Sequence, residues 1–182
     1  MLLKYGCVTL RAIEEKDSDL LLEMMNNPDI DRWVGNLHLP VSKSMQESWV
    51  KNYTNNDSTI RLMIELENGH TLGMVMLQNI DYKNSNAEIG IKINITDKCN
   101  RMKHDTDDAY KALLKFAFEE LNLNCIYAYV IKGNEHSYNF NLRNGFKENG
   151  VIPSKIYTDG EYKDMIIFSL IREEFYSFIK KN

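Results

Sequence analysis

The sequence predicts an α/β protein of the α+β kind, built on a mixed but mostly antiparallel sheet. Three observations predict it. Three stretches between residues 60 and 95 follow a two-residue period and are separated by short turns, which reads as an antiparallel meander. Tyr110, Leu113, Leu114, Ala117, Phe118 and Leu121 then recur at helical spacing, while Lys111, Lys115, Glu119 and Glu120 fall off that stripe. The apolar run Cys125–Ile131 follows directly. A strand, a crossover helix and a further strand imply one parallel pair inside the antiparallel sheet.

Each element has a local reason. Val8–Ala12 alternates as a short strand. Asp17–Asn26 reads as a helix with acids at its positive end, stopped by Asn26-Asn27-Pro28. Ser44-Met45-Gln46-Glu47 fits a capping box that opens a helix running to about Tyr53. Ile60–Leu66 and Thr71–Asp81 are strands joined by the hairpin turn Glu67-Asn68-Gly69-His70. Asn84-Ser85-Asn86 turns the chain into the strand Ala87–Ile95. After the long helix and Cys125–Ile131, Glu135–Arg143 is a helix ended by Asn144-Gly145, a pair suited to a left-handed cap. Two strands between Phe146 and Ile171 flank the turn Thr158-Asp159-Gly160, and Glu173–Lys180 is a last short helix.

At 182 residues, with no repeat or low-complexity linker, residues 1–182 read as one domain. A net charge of −4 argues against a broad grip on nucleic acid. No apolar run is long enough to span a membrane, and the first residues lack the layout of a signal peptide. Cys7, Cys99 and Cys125 form no CxxC pair, which fits free thiols and a cytoplasmic location. The histidines are scattered, so no metal is expected, although His104 with Asp105 and Asp108 is a conceivable set.

Five motifs then occur in a telling order. They are Ala87-Glu88-Ile89-Gly90-Ile91, the stretch from Asn100 to Ala109, Asn134-Glu135-His136-Ser137, Arg143-Asn144-Gly145-Phe146 and Asp159-Gly160-Glu161-Tyr162-Lys163-Asp164. Together they resemble the GNAT superfamily of N-acetyltransferases, most of all its ribosomal-protein-alanine and spermidine acetyltransferase branch, over about Thr9 to Ile171. The resemblance implies a sheet flanked by helices on both faces and splayed between its fourth and fifth strands, here Ala87–Ile95 and Cys125–Ile131. It implies acetyl-CoA as cosubstrate, with backbone at Ile91, Ile93 and Ile95 pairing with the pantetheine arm. It also implies a pyrophosphate cradle at Arg101, Met102, Lys103, His104, Thr106 and Asp107, and a contact from the Asn134 amide to the CoA arm.

A helix start suits phosphate because its first N–H groups are free and carry the positive end of the dipole. The family places glycines where this chain has Met102, His104 and Thr106. Asp105, Asp107 and Asp108 add negative charge there, and an acid about 6 Å from a phosphate costs about 3 kcal/mol at an effective dielectric near 20. The same residues also suit a capped helix start without any ligand.

Amine acetylation needs a base for the amine, donors for the developing oxyanion and an acid for the departing thiolate. Asn141 stands where many members of the family have an acidic tyrosine. The resemblance assigns that role to Ser137, with Tyr138 as a neighbour that could substitute. Ile156 occupies the position of a glutamate used in the branch, which leaves Glu88 as the carboxylate able to act through a water. Each residue has a bland alternative: Ser137 in a helix first turn, Asn134 as an N-cap, Glu88 in a surface ion pair, Tyr138 in packing. Asp31, Arg32, Trp33, Glu47 and Trp49 fall where the amine would enter and are given no role.

The expected activity is acetyl transfer from acetyl-CoA to a primary amine, either a small molecule or a protein N-terminus. The alternatives are a GNAT-fold protein that has lost cofactor binding and serves as a binding or regulatory module, and a transferase for another acyl thioester. Exposed strand edges make a homodimer a reasonable expectation.

Overall fold

The computed structural model describes residues 3–35, 39–96 and 104–180. The strands are β1 (Leu3–Tyr5), β2 (Val8–Arg11), β3 (Thr59–Leu66), β4 (Thr71–Asp81), β5 (Asn86–Ile93), β6 (Cys125–Ile131), β7 (Lys147–Thr158) and β8 (Glu161–Ile171). The helices are α1 (Ser18–Met25), α2 (Pro28–Asp31), α3 (Lys43–Asn52), α4 (Asp105–Glu119), α5 (Glu135–Arg143) and α6 (Arg172–Ile179). The strands form one sheet in the order β1-β2-β3-β4-β5-β6-β8-β7, antiparallel everywhere except between β5 and β6. The predicted mixed sheet with its strand–helix–strand crossover is therefore present.

Several local expectations shift. β1 was not anticipated: three residues carry too little pattern, and Leu3–Tyr5 folds back on Val8–Leu10 through Gly6. Ser42, not Ser44, caps α3 by accepting from the Met45 N–H at 3.3 Å, so the helix begins earlier and Glu47 faces Lys43 instead. Asn27 caps the extra helix α2, with Pro28 at its first position. β8 inserts between β6 and β7, a placement that the order of elements along the chain did not settle.

Alternating strand positions feed two cores. Val8, Leu10, Leu62, Ile64, Val75, Leu77, Ala87, Ile89, Ile126, Ala128 and Phe168 pack under α4, α5 and α6 with Leu113, Leu114, Phe118, Phe140 and Phe175. On the opposite face Met63, Met74 and Met76 meet Leu21 of α1 and Val50 of α3. Asp17 anchors that second layer. Its carboxylate is 3% exposed and takes both Arg11 Nη1 and Nη2 at 2.8 Å, while Arg11 Nε reaches Glu65 at 2.5 Å. The acid at the start of the predicted helix is thus a buried ion pair that ties α1 to β2 and β3.

The sheet opens where the resemblance implied. β5 and β6 pair only at Asn86–Cys125, Ala87–Ile126 and Glu88–Tyr127, after which they diverge. With β1 counted, the splay lies between strands five and six. Asn94 N–H donates to Leu72 O at 2.9 Å, so by antiparallel alternation Lys92, Gly90 and Glu88 turn their peptide groups to β4. The peptide groups of Ile89, Ile91 and Ile93 then face the other way. Those of Ile91 and Ile93 point into the gap, where no β6 residue pairs with them. Ile95 lies beyond the end of β5 and is exposed.

Candidate active site

A cleft of about 890 Å³ runs through this splay and joins the two faces of the sheet. One half is lined from the α1–α3 side by Leu21, Met25, Trp33, Trp49, Met74 and Met76. The other is lined from the α4–α5 side by Ile91, Tyr110, Ala128, Ser137, Phe140 and Asn141. Its size and mostly apolar walls with a few convergent polar groups suit a small-molecule site.

Glu88 sits at the junction, on the last β5 residue that pairs with β6. Its oxygens accept from Gln78 Nε2 at 2.8 Å and Asn79 Nδ2 at 3.0 Å. A β-bulge makes this possible. Gln78 stands opposite Glu88, while Asn79 and Ile80 together oppose Ala87, and Asn79 takes φ 53°. The bulge brings two neighbouring side-chain amides to one carboxylate. The alternative of an ion pair is not what the structure shows.

Asn134 caps α5: its Oδ1 accepts from the Ser137 N–H at 3.1 Å. Its Nδ2 makes no hydrogen bond to a described residue, so the cap leaves one end of the amide available. Ser137 is half-buried and lines the cleft, and its hydroxyl likewise bonds to no described residue. Tyr138 turns away: its ring packs edge-on to Phe168 and its hydroxyl donates to Glu148 at 2.8 Å, which pushes the phenol up from its ordinary value. Ile156 is buried and lines the cleft as an apolar wall.

The α4–α5 wall also holds a pair the sequence reading missed. Tyr110, 2% exposed, directs its hydroxyl at Asn141 Oδ1 at 3.3 Å, and Asn141 Nδ2 donates to the Ser137 carbonyl at 2.9 Å. Burial, and secondarily Glu88, hold the Tyr110 phenol far above its ordinary value. Tyr110 was assigned to the apolar stripe of its helix, and nothing in the sequence marks its hydroxyl as meeting Asn141. In the sequence Asn141 stands out only as the residue in place of a tyrosine.

Arg101, Met102 and Lys103 lie outside the described residues. His104 is exposed at the start of α4, with Nε2 3.7 Å from Asp105 Oδ1. Thr106 and Asp107 are first-turn residues whose peptide N–H groups have no acceptor within the helix. The acids of this turn do not line the cleft. Asp105 is 2% exposed. Asp107 is held by Arg143 Nε at 2.9 Å and Asn144 Nδ2 at 2.8 Å. Asp108 packs against Gly6, where an added Cβ would fall 2.1 Å from its Oδ2, and burial raises its carboxyl above the ordinary range. Part of the charge conflict expected at this helix start is thereby removed, because Arg143 pairs with Asp107, while Asp108 is turned to Gly6. No group of three His, Cys, Asp or Glu side chains clusters among the described residues, so His104, Asp105 and Asp108 do not assemble as a metal site. Cys7 and Cys125 are free thiols. No described helix is long and apolar enough to cross a membrane.

On the α1–α3 side Trp49 stacks at 4.8 Å on Tyr53, and Lys163 stands 5.6 Å over Trp33. Both tryptophans border the cleft. Arg32 pairs with Asp29 and Glu47 lies by Lys43, both outside it.

Comparison with known proteins agrees with this geometry. Residues 8–147 match the family described as the acetyltransferase (GNAT) domain. A Bacillus subtilis protein named "Putative ribosomal N-acetyltransferase YdaF" is 30% identical over 175 residues, 92% of each chain. Spermidine N(1)-acetyltransferase of Escherichia coli is 23% identical over 168 residues, 92% of this chain and 88% of its own. Among solved structures, the spermidine N-acetyltransferase of Vibrio cholerae in complex with CoA and spermine superposes with a TM-score of 0.83 at 23% identity. That match covers 93% of this chain and 98% of the other. At that identity it shows the shared fold.

Proposed function

The chain belongs to the GNAT acetyltransferase family, and from that premise we propose that it is an acetyl-CoA-dependent N-acetyltransferase that acts on a primary amine by direct transfer. The observation that carries this reading is the cleft that passes through the splayed sheet, with Glu88 at its junction and Ser137 on its wall. Acetyl-CoA supplies a thioester carbonyl as the electrophile and a thiolate as the leaving group.

The residues present fit such a cosubstrate. The unpaired peptide groups of Ile91 and Ile93 offer an amide-bearing arm a strand edge. The Asn134 Nδ2 offers it a further donor. The start of α4, at His104, Thr106 and Asp107, offers phosphate its free N–H groups, with Arg101, Met102 and Lys103 assigned to the same cradle. Glu88 takes the amine proton through a water, held in orientation by Gln78 and Asn79. As the new N–C bond forms and the C–S bond breaks, Ser137 hands its proton to sulfur. The hydroxyl is then restored from solvent. Tyr110 and Asn141 keep the wall beneath Ser137 rigid. A cytoplasmic location, a single domain over residues 1–182 and a homodimer that uses the exposed β7 edge belong to the same reading.

Isothermal titration with acetyl-CoA, CoA and desulfo-CoA tests it first. Micromolar binding of all three is expected, since they share the arm and the pyrophosphate, and no binding at millimolar ligand sinks the reading in favour of a binding module. In a transfer assay Glu88→Gln should lower kcat by about 10²–10⁴-fold, the range of general acid–base catalysis.

A further inference from the structure

The acceptor half of the cleft is cationic among its described residues. Arg61, Lys92 and Lys155 line it against a single carboxylate, Glu88, which is already occupied by two neutral amides. None of the three cations forms an ion pair with a described carboxylate. Lys92 is half-buried, and among the described residues its Nζ reaches only Met25 Sδ, at 3.8 Å. Burial pushes this ammonium below the ordinary lysine value; the Asp31 carboxylate opposes that shift, and Arg61 adds to it more weakly. The Arg61 guanidinium stands 5.6 Å over the Tyr53 ring.

Strand register puts the two inner cations on one floor. Arg61 stands opposite Met76, which stands opposite Gly90, while Lys92 stands opposite Met74. Glu88, Gly90 and Lys92 therefore share a face of β5. Gly90 carries no side chain between the two charged residues, and Met76 packs over it, its Cγ 3.2 Å from where a Cβ would stand. At about 3.4 Å per residue, the Cα atoms of Glu88 and Lys92 lie roughly 13 Å apart, and their side chains shorten the span.

Asp31 offsets only part of the cost of a half-buried ammonium beside a second cation, and an anionic ligand would offset more. We propose that the acceptor is a small primary amine that also carries an anionic group, a carboxylate or a phosphate. The anion docks between Lys92 and Arg61, and the amine faces Glu88. The span fits an ω-amino acid or a dipeptide. A polyamine would bring ammonium groups against the same two cations. This inference rests on the transferase reading above and specifies its substrate.

The test compares acetylation of 6-aminohexanoate, its carboxamide, 3-aminopropyl phosphate and spermidine. The expected result is a kcat/KM for one or both anionic amines at least about tenfold above the carboxamide and spermidine, the size of one hydrogen bond between charged groups. The carboxylate and phosphate arms show which anion is used. Lys92→Met and, separately, Arg61→Met should raise KM for the preferred anionic amine by about tenfold, with a smaller effect on kcat, and narrow the gap to the carboxamide. Preference for spermidine or the carboxamide overturns the inference and leaves the transferase reading standing. So does a KM unmoved in both variants, or CoA binding with no amine acetylated. Absence of both CoA binding and acetyl transfer overturns the transferase reading itself, and the inference with it.

Discussion

Replacing Asp17 by asparagine should destabilise the protein by about 3 kcal/mol, the lower end of the range for breaking a buried ion pair. The side chain is 3% exposed, and its oxygens accept from both terminal nitrogens of Arg11 at 2.8 Å and from the Glu14 N–H at 2.8 Å. Asparagine keeps one acceptor and turns an NH2 group toward donors, so at least one of the three contacts becomes donor against donor. The loss stays near the lower bound because Glu65 still neutralises Arg11 from 2.5 Å. The assay is urea unfolding at pH 7. Arg11→Met combined with Asp17→Leu should recover most of the loss, since apolar pairs often replace buried ion pairs without cost and Glu65 retains Lys16 at 3.8 Å. The pH dependence has a definite sign. Burial raises the Asp17 carboxyl, but the Arg11 bonds and the Glu14 N–H lower it further, so it ends below the ordinary range. Its contribution is present above the unfolded carboxyl value, about 4, and is lost as pH falls through the lower folded value. The stability gap between wild type and Asp17→Asn should therefore shrink as pH drops below about 4. A wild type and Asp17→Asn that differ by under about 1 kcal/mol at pH 7 would refute the assignment of this pair as the anchor of α1.

Two further substitutions probe the β4–β5 pair and the wall of the cleft. Gly73→Ala should unfold the protein or cost more than about 3 kcal/mol, because an added Cβ would lie 2.2 Å from the Lys92 carbonyl at φ 154°. Soluble expression with an unchanged urea midpoint would count against that contact. Tyr110→Phe leaves Asn141 Oδ1 without its phenol donor and should cost about 1–3 kcal/mol. The same variant should lower kcat only modestly, because Tyr110 acts on the reaction through Asn141 and Ser137; a loss as large as that of Glu88→Gln would make it a catalytic residue instead.

The motifs that resembled the family were legible because they are local. Alternation in β3, β4 and β5, the stripe of α4 and the turn at Asn144-Gly145 each express a short-range preference, and all recur in the structure. Glu88 and Ser137 were found in the sequence by their motif positions, and both reach the cleft. Local signals also misled. Two serines two residues apart offered two caps, and Ser42 took the helix start. Asp17 suited a helix dipole, and its partner Arg11 was visible only once β2 lay beside α1.

Fold class, family resemblance and the two candidate residues on which the proposed chemistry leans were legible along the chain. Periodicity and turn chemistry act within a few residues and are written in order along the chain. Tertiary structure alone decided that Gln78 and Asn79 hold Glu88 across a bulge, that Arg143 neutralises Asp107 from 36 residues away, and that Tyr110 meets Asn141. It also decided that Arg61 and Lys92 share one floor of the cleft. Each of these depends on which strands and helices become neighbours, and that is settled by burial of the whole set of apolar faces rather than by any segment alone.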